Sequence, residues 1–108
     1  MVEYNLSLDS IFGSLADPTR RDILQRVATR ELSVSEIAQP YDLSLAAVSK
    51  HLTILERAEL VVKRRRGKQH LVQLSPQALA SANDYLDVYR QMWEERFNAL
   101  EDYLSKEE

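Results

Sequence analysis

The chain has no cysteine, so disulfides, thiolate metal sites and cysteine redox switches are excluded at the outset. Imidazoles are nearly as scarce. His51 and His70 are the two present, and neither has a Ser or Asp at a spacing that suggests catalysis. Glycine occurs only at Gly13 and Gly67, and no Gly-rich phosphate loop exists, so an enzyme is not expected and no catalytic residue or cofactor is assigned. No apolar run is long enough to span a bilayer. The first fifteen residues carry Glu3 and Asp9 and lack a cationic start, which argues against a signal peptide and for a cytoplasmic protein without a membrane partner.

What is present fits one domain, the natural count for 108 residues. A hydrophobic content of 44% suffices for a small core, although a chain this short gains from sharing an interface. The formal net charge of −3 conceals an uneven distribution. Residues 1–46 carry net −3, residues 47–70 net +5 and residues 71–108 net −5. Charges more than a Debye length apart, roughly 8 Å at physiological salt, are largely screened, so the central basic stretch can meet phosphate despite the acidic total.

Within that stretch, Ser44 is a good N-cap residue, and Leu45 to Arg57 contain no Gly or Pro, which predicts a helix of three to four turns. At about 100° per residue, Val48, Leu52 and Leu55 share a narrow arc that must face a core. Ala46, Lys50, Thr53 and Arg57 fall on the opposite side. Small residues there allow close approach to a major groove, and a Lys can meet phosphate or guanine.

Upstream, Ser33-Val-Ser-Glu36 is a capping box that opens a short helix from Val34 to Gln39, with Ile37 and Ala38 turned inward. Pro40-Tyr-Asp-Leu43 then breaks the chain. Two helices joined by a tight turn and sharing Ile37, Leu43, Val48 and Leu52 predict a helix-turn-helix over 33–58. Downstream, 60–66 and 69–74 flank Gly67-Lys68. Gly at the first central position suits a type II′ hairpin turn, pairing Arg66 with Gln69 and Arg65 with His70. The hairpin over 60–74 is a wing, and Lys63, Arg64, Arg65, Arg66 and Lys68 crowd its tip, more cationic charge than solubility needs.

Toward the N-terminus, Ser7 or Asp9 is expected to cap a helix with Leu8, Ile11, Phe12 and Leu15 on its apolar face, weakened modestly by Gly13. Asp17 caps a second helix with Pro18 at its first position and Ile23, Leu24, Val27 and Ala28 at helical spacing. Ser75-Pro76 repeats that signal for a final helix reaching about Ser105, with a bend expected near Ser81 to Asn83. On it, Leu86, Tyr89, Trp93, Phe97, Leu100 and Leu104 form a near-continuous apolar seam, with Tyr85, Met92 and Tyr103 beside it. Such a seam implies a partner, the alternative being a helix folded back over its own core.

Four stretches carry a resemblance: Asp-Pro-Thr-Arg-Arg at 17–21, Leu-Ser-Val-Ser-Glu-Ile-Ala at 32–38, Leu-Ser-Leu-Ala-Ala-Val-Ser-Lys-His-Leu at 43–52 and Leu-Glu-Arg-Ala-Glu-Leu-Val at 55–61. In order and spacing the chain resembles the ArsR/SmtB family of bacterial winged-helix repressors along nearly its whole length. The resemblance implies a mainly α fold with a small β-hairpin, a winged helix-turn-helix closed by a long C-terminal dimerisation helix. It also implies a homodimer packed through helices at 1–16 and 76–105, and Leu8, Ile11, Phe12, Leu86, Tyr89, Trp93, Phe97, Leu100 and Leu104 are expected at that interface.

The residues expected on double-stranded DNA are Ser44, Leu45, Ala46, Ala47, Ser49, Lys50, His51 and Thr53 on the reading helix. Arg64, Arg65, Arg66, Lys68 and His70 are expected on the wing, and the resemblance adds Arg20 at the opening of the second helix, with Arg21 left as a solvated charge. His51 borders the core arc and is expected to pack or cap rather than read bases. Thiolate sensors of the family carry cysteines on the short helix after residue 32, and zinc sensors carry Asp and His on the last helix. Here the short helix offers Ser33, Ser35 and Glu36, and the last has Asp84, Asp87, Glu94 and Glu95 but no His, so no metal is expected. Glu59 replaces the Gly usual after the reading helix, where a left-handed backbone costs a non-Gly residue about 1 kcal/mol. Asp42 likewise stands where the turn often has Gly.

The combined expectation is a sequence-specific, DNA-binding transcriptional regulator, a homodimeric repressor on a palindromic operator. Two alternatives stay open: a winged-helix module for protein partners, and a sensor of metal or a small ligand whose effector site the residues do not reveal.

Overall fold

The Asp17-Pro18 start signal opens α2 (Pro18–Thr29) in the computed structural model, which describes residues 6–106. Asp17 accepts the Arg20 backbone N–H at 3.0 Å, while Ile23, Leu24 and Val27 are buried. That backbone N–H, with the Arg20 charge adding, outweighs the cost of burial and holds the Asp17 carboxyl below the usual carboxylate range. A depressed folded pKa stabilises at pH above the unfolded value, and the contribution is lost as pH falls through the folded value. Asp17→Ala is therefore expected to cost about 1 kcal/mol near neutrality. In urea titrations the gap between variant and wild type should shrink in acid.

The preceding helix, α1 (Leu6–Leu15), is already helical at Leu6, so neither Ser7 nor Asp9 begins it. Asp9 sits instead in the first turn, where a carboxylate complements the helix dipole. Ile11, expected at an interface with a partner, is 1% exposed in the protomer's own core, whereas its neighbour Phe12 remains exposed.

The capping box forms as the residue types require: Glu36 N donates to Ser33 Oγ at 3.1 Å, and Ser33 N donates to Glu36 Oε1 at 3.0 Å. It starts α3 (Val34–Ala38), with Ile37 fully buried and Gln39 as its C-cap. Ser44 then caps α4 (Leu45–Arg57) by accepting the Ala47 N–H at 3.1 Å. Val48, Leu52 and Leu55 of α4 are all fully buried. Leu43, expected in this core, is 42% exposed. Tyr41 takes the inward position in its place, packing on the core while its hydroxyl donates to Asp22 Oδ2 and the Arg26 guanidinium lies 5.3 Å from its ring centre.

A Schellman arrangement ends α4. Leu60 N donates to Leu55 O at 3.0 Å and Glu59 N to Glu56 O at 2.9 Å, with Leu55 and Leu60 both buried. Glu59 therefore occupies the left-handed position at φ 61°, whereas Asp42 needs no positive φ. Relief of roughly 1–2 kcal/mol of strain exceeds the added chain entropy of glycine, roughly 0.5–1 kcal/mol. Glu59→Gly should thus gain about 0.5–1 kcal/mol, read as a higher urea midpoint at fixed protein concentration.

Strands β2 (Val61–Arg66) and β3 (Gln69–Leu74) pair in the expected register, Arg66 with Gln69 and Arg65 with His70. Gly67 has φ 62° and Lys68 does not take a positive φ, the pattern of a type II′ turn. The unanticipated element is β1 (Leu32–Ser33), which pairs Leu32 with Val72 and makes a three-stranded sheet in the order β1-β3-β2. Two residues are too few to display an alternating pattern. Leu32, Val61 and Val72 bury the root of the wing against the helices.

The final helix, α5 (Pro76–Lys106), has 31 residues, passes Ser81–Asn83 without interruption and is about 46 Å long at 1.5 Å per residue. Ala78 and Ala82 pack on the core; beyond them the helix leaves it. Leu86, Tyr89, Trp93, Phe97, Leu100 and Leu104 are all exposed, so the seam is not folded back over its own protomer.

Candidate nucleic-acid interface

The buried arc of α4 roots one side of the helix and leaves the other free. Ser44, Leu45, Ala46, Ser49 and Lys50 are exposed, Ala47 and Thr53 are half-buried, and Arg57 is exposed at the far end. Thr53 Oγ1 donates back to Ser49 O at 2.9 Å. Leu45, at 58% exposure, is an apolar residue at the first helical position, where it costs least if covered by an apolar part of a ligand. His51 is half-buried: its Nδ1 accepts from Arg20 Nη1 at 3.2 Å and lies 3.8 Å from Asp17 Oδ2, so it packs α4 against the start of α2.

Arg20, expected at the DNA backbone, is directed inward. Its Nε donates to Ser14 O at 2.7 Å and its Nη2 to Gly13 O at 3.2 Å, and with the His51 contact all three nitrogens of the guanidinium have partners. Arg21, expected as a solvated charge, donates from Nη1 to Leu15 O at 2.8 Å. Both donate to carbonyls of the last turn of α1, where cations are favoured.

Arg26 is a structural determinant the residue pattern did not single out. From α2 it donates to Ile37 O at 2.8 Å and Glu36 O at 2.9 Å, capping the C-terminal end of the five-residue α3 while stacking on Tyr41. The contacts span ten and eleven residues, beyond any helical periodicity.

The wing divides its cations. Lys63 lies 3.9 Å from Glu56 of α4, and Arg64 donates from Nε and Nη2 to the two carboxylate oxygens of Glu31 at 2.7 and 2.6 Å. Those bonds, reinforced by the Arg64 and Arg66 charges, hold the Glu31 carboxyl below the usual range. Arg65 donates to Gly67 O at 3.1 Å across the turn. Arg66, Lys68 and His70 are exposed and form no salt bridge among the described residues, although the Arg66 charge is felt by Glu31. Arg64, expected on DNA, is thus engaged by Glu31 midway along the wing, and the available cations are those nearest the turn.

Among the described residues no group of three or more His, Asp or Glu side chains could hold a metal ion, and no helix is long and apolar enough to cross a membrane.

A short helix, a turn, an exposed second helix and a β-hairpin on one three-stranded sheet define a winged helix-turn-helix protein. Residues 15–64 match the model of a helix-turn-helix domain family. The chain is 42% identical over 81 residues to the HTH-type transcriptional regulator Rv2034 of Mycobacterium tuberculosis, covering 75% of this chain and 76% of that one. It is 32% identical over 81 residues to the arsenical resistance operon repressor of Staphylococcus xylosus, with 75% and 78% covered. Among solved structures, it is similar to the ArsR family transcriptional regulator RHA00566, with a TM-score of 0.78 at 31% identity over 87% of this chain and 97% of that chain. The chain belongs to the ArsR family of transcriptional regulators.

Proposed function

We propose that the protein is a sequence-specific DNA-binding transcriptional repressor that acts as a homodimer on a palindromic operator in the cytoplasm. The observation that carries this reading is the two-sided α4. A fully buried Val48, Leu52 and Leu55 arc leaves Lys50 and the small residues around it exposed beside a wing whose tip is cationic. In this reading α4 enters the major groove with Ser44, Leu45, Ala46, Ala47, Ser49, Lys50 and Thr53, and Arg65, Arg66, Lys68 and His70 follow the backbone. Arg20 and His51 position α4 from behind. The whole chain works as one domain, with 33–58 as reader, 60–74 as wing and the exposed faces of α1 and α5 pairing two copies. The family membership and the regulators and repressors among its relatives support the assignment. No residue is assigned a catalytic role.

Titration against a random-sequence duplex at two salt concentrations tests it. Binding that weakens steeply with salt is expected from the phosphate contacts. Failure to bind duplex at low salt would favour a module for protein partners.

A further inference from the structure

Among the described residues, the pairing of Arg64 with Glu31 is the one place where an acidic side chain occupies a cation of the wing in both arms of its fork. Glu31 lies in the 30–31 link between α2 and β1, outside the wing, and its side chain is 22% exposed against 54% for Arg64. The strand register sets Arg64 opposite Leu71 in the middle of the hairpin, two residues back from Arg66 on the same face. An exposed ion pair adds little to stability. Its consequence lies in what it withholds. The parallel N–H pair that a guanidinium offers a phosphate is the same pair Glu31 accepts.

We propose that Glu31 is a built-in competitor for phosphate, which keeps Arg64 off the DNA backbone and so sets the affinity for any duplex. The inference rests on the DNA-binding reading above. Lys63 and Glu56 repeat the arrangement more loosely, so the phosphate-binding charge of the wing is confined to its tip. Because a phosphate contact carries no base information, releasing Arg64 should tighten operator and random DNA alike and leave their ratio unchanged.

The test compares wild type, Glu31→Gln and the double variant Glu31→Gln/Arg64→Gln on random duplex and on a duplex selected in vitro for tight binding, across a salt series. Glu31→Gln should steepen the slope of log affinity against log salt by about 0.9 per protomer. That corresponds to about five- to tenfold tighter binding per protomer at 0.1 M salt. The double variant, which removes both members of the pair, should return to the wild-type slope. An unchanged slope or weaker binding in Glu31→Gln overturns the inference. So does a double variant whose slope falls below wild type by a similar amount, because Arg64 would then already contact DNA; this arm decides even if the single variant folds poorly. If wild type binds neither duplex, the DNA-binding reading fails and the inference with it.

Discussion

Replacing both Trp93 and Phe97 by Gln is expected to turn the protein into monomers and to weaken its grip on operator DNA by two to four orders of magnitude. Trp93 is 60% exposed and meets Phe97, itself 54% exposed, edge-on with ring centres 5.0 Å apart. The aromatic surface continues toward the core through Tyr89 and Tyr85, 5.7 Å apart, to Phe12 of α1 at 5.9 Å from Tyr85. A contiguous apolar face of this extent on a monomer marks an interaction site. Burying each ring is worth roughly 1.5–3 kcal/mol. Two rings from each of two protomers therefore supply several kcal/mol of association, enough to move dimerisation out of the micromolar range when lost. The effect on DNA follows from linkage: two half-site readers joined in one particle exceed the affinity of one by 10²–10⁴-fold or so. Neither ring touches the buried core, so far-UV circular dichroism should retain the helical signal while sedimentation velocity reports the monomer. A wild-type protein that sediments as a monomer at micromolar concentration would contradict the assigned interface.

The second large effect is a division of labour between α4 and the wing tip. Lys50 lies opposite the buried arc, in the half of α4 nearest its N-cap, the half that reaches base edges in helix-turn-helix proteins. Arg65, Arg66 and Lys68 surround a two-residue turn, a shape that follows the backbone or enters a minor groove but has few ways to tell bases apart. Lys50→Ala should cost about 1–3 kcal/mol on the operator and less on random duplex. Neutralising Arg66 or Lys68 should weaken both alike and lower the salt slope by about one per protomer. Binding of each variant to both duplexes across a salt series checks this. Wing variants that lose selectivity, with a Lys50 variant that weakens both DNAs equally, would reverse the roles.

The elements that position this site were legible where a local signal exists. Ser44 with an uninterrupted apolar arc gives α4 its full extent, the Ser33 and Glu36 pair gives the start of α3, and Gly67 gives the hairpin its register. Each is settled within a dozen residues of chain. What was not legible depends on distant chain meeting. Ile11 and Phe12 belong to one apolar face of α1, and periodicity cannot say that the protomer's own core covers the first and leaves the second out. The cations at 20, 21, 26 and 64 look alike in sequence. Three are drawn to open helix carbonyls and one to a carboxylate 33 residues away, so the basic surface is smaller than the charge count implies. Tyr41 displaced Leu43 from the core because its ring can pack while its hydroxyl reaches Asp22, a combination hydrophobicity alone does not rank.

Hydroxyl-radical footprinting on a duplex selected in vitro addresses the central claim most directly, because it registers the dimer and the reading helix together. Two copies of α4 held by paired α1 and α5 helices should protect two symmetric patches on one face of the duplex, one helical turn, about 34–36 Å, or a multiple of it apart. Protection of a single asymmetric patch, by a protein that sediments as a monomer on the DNA, would contradict it.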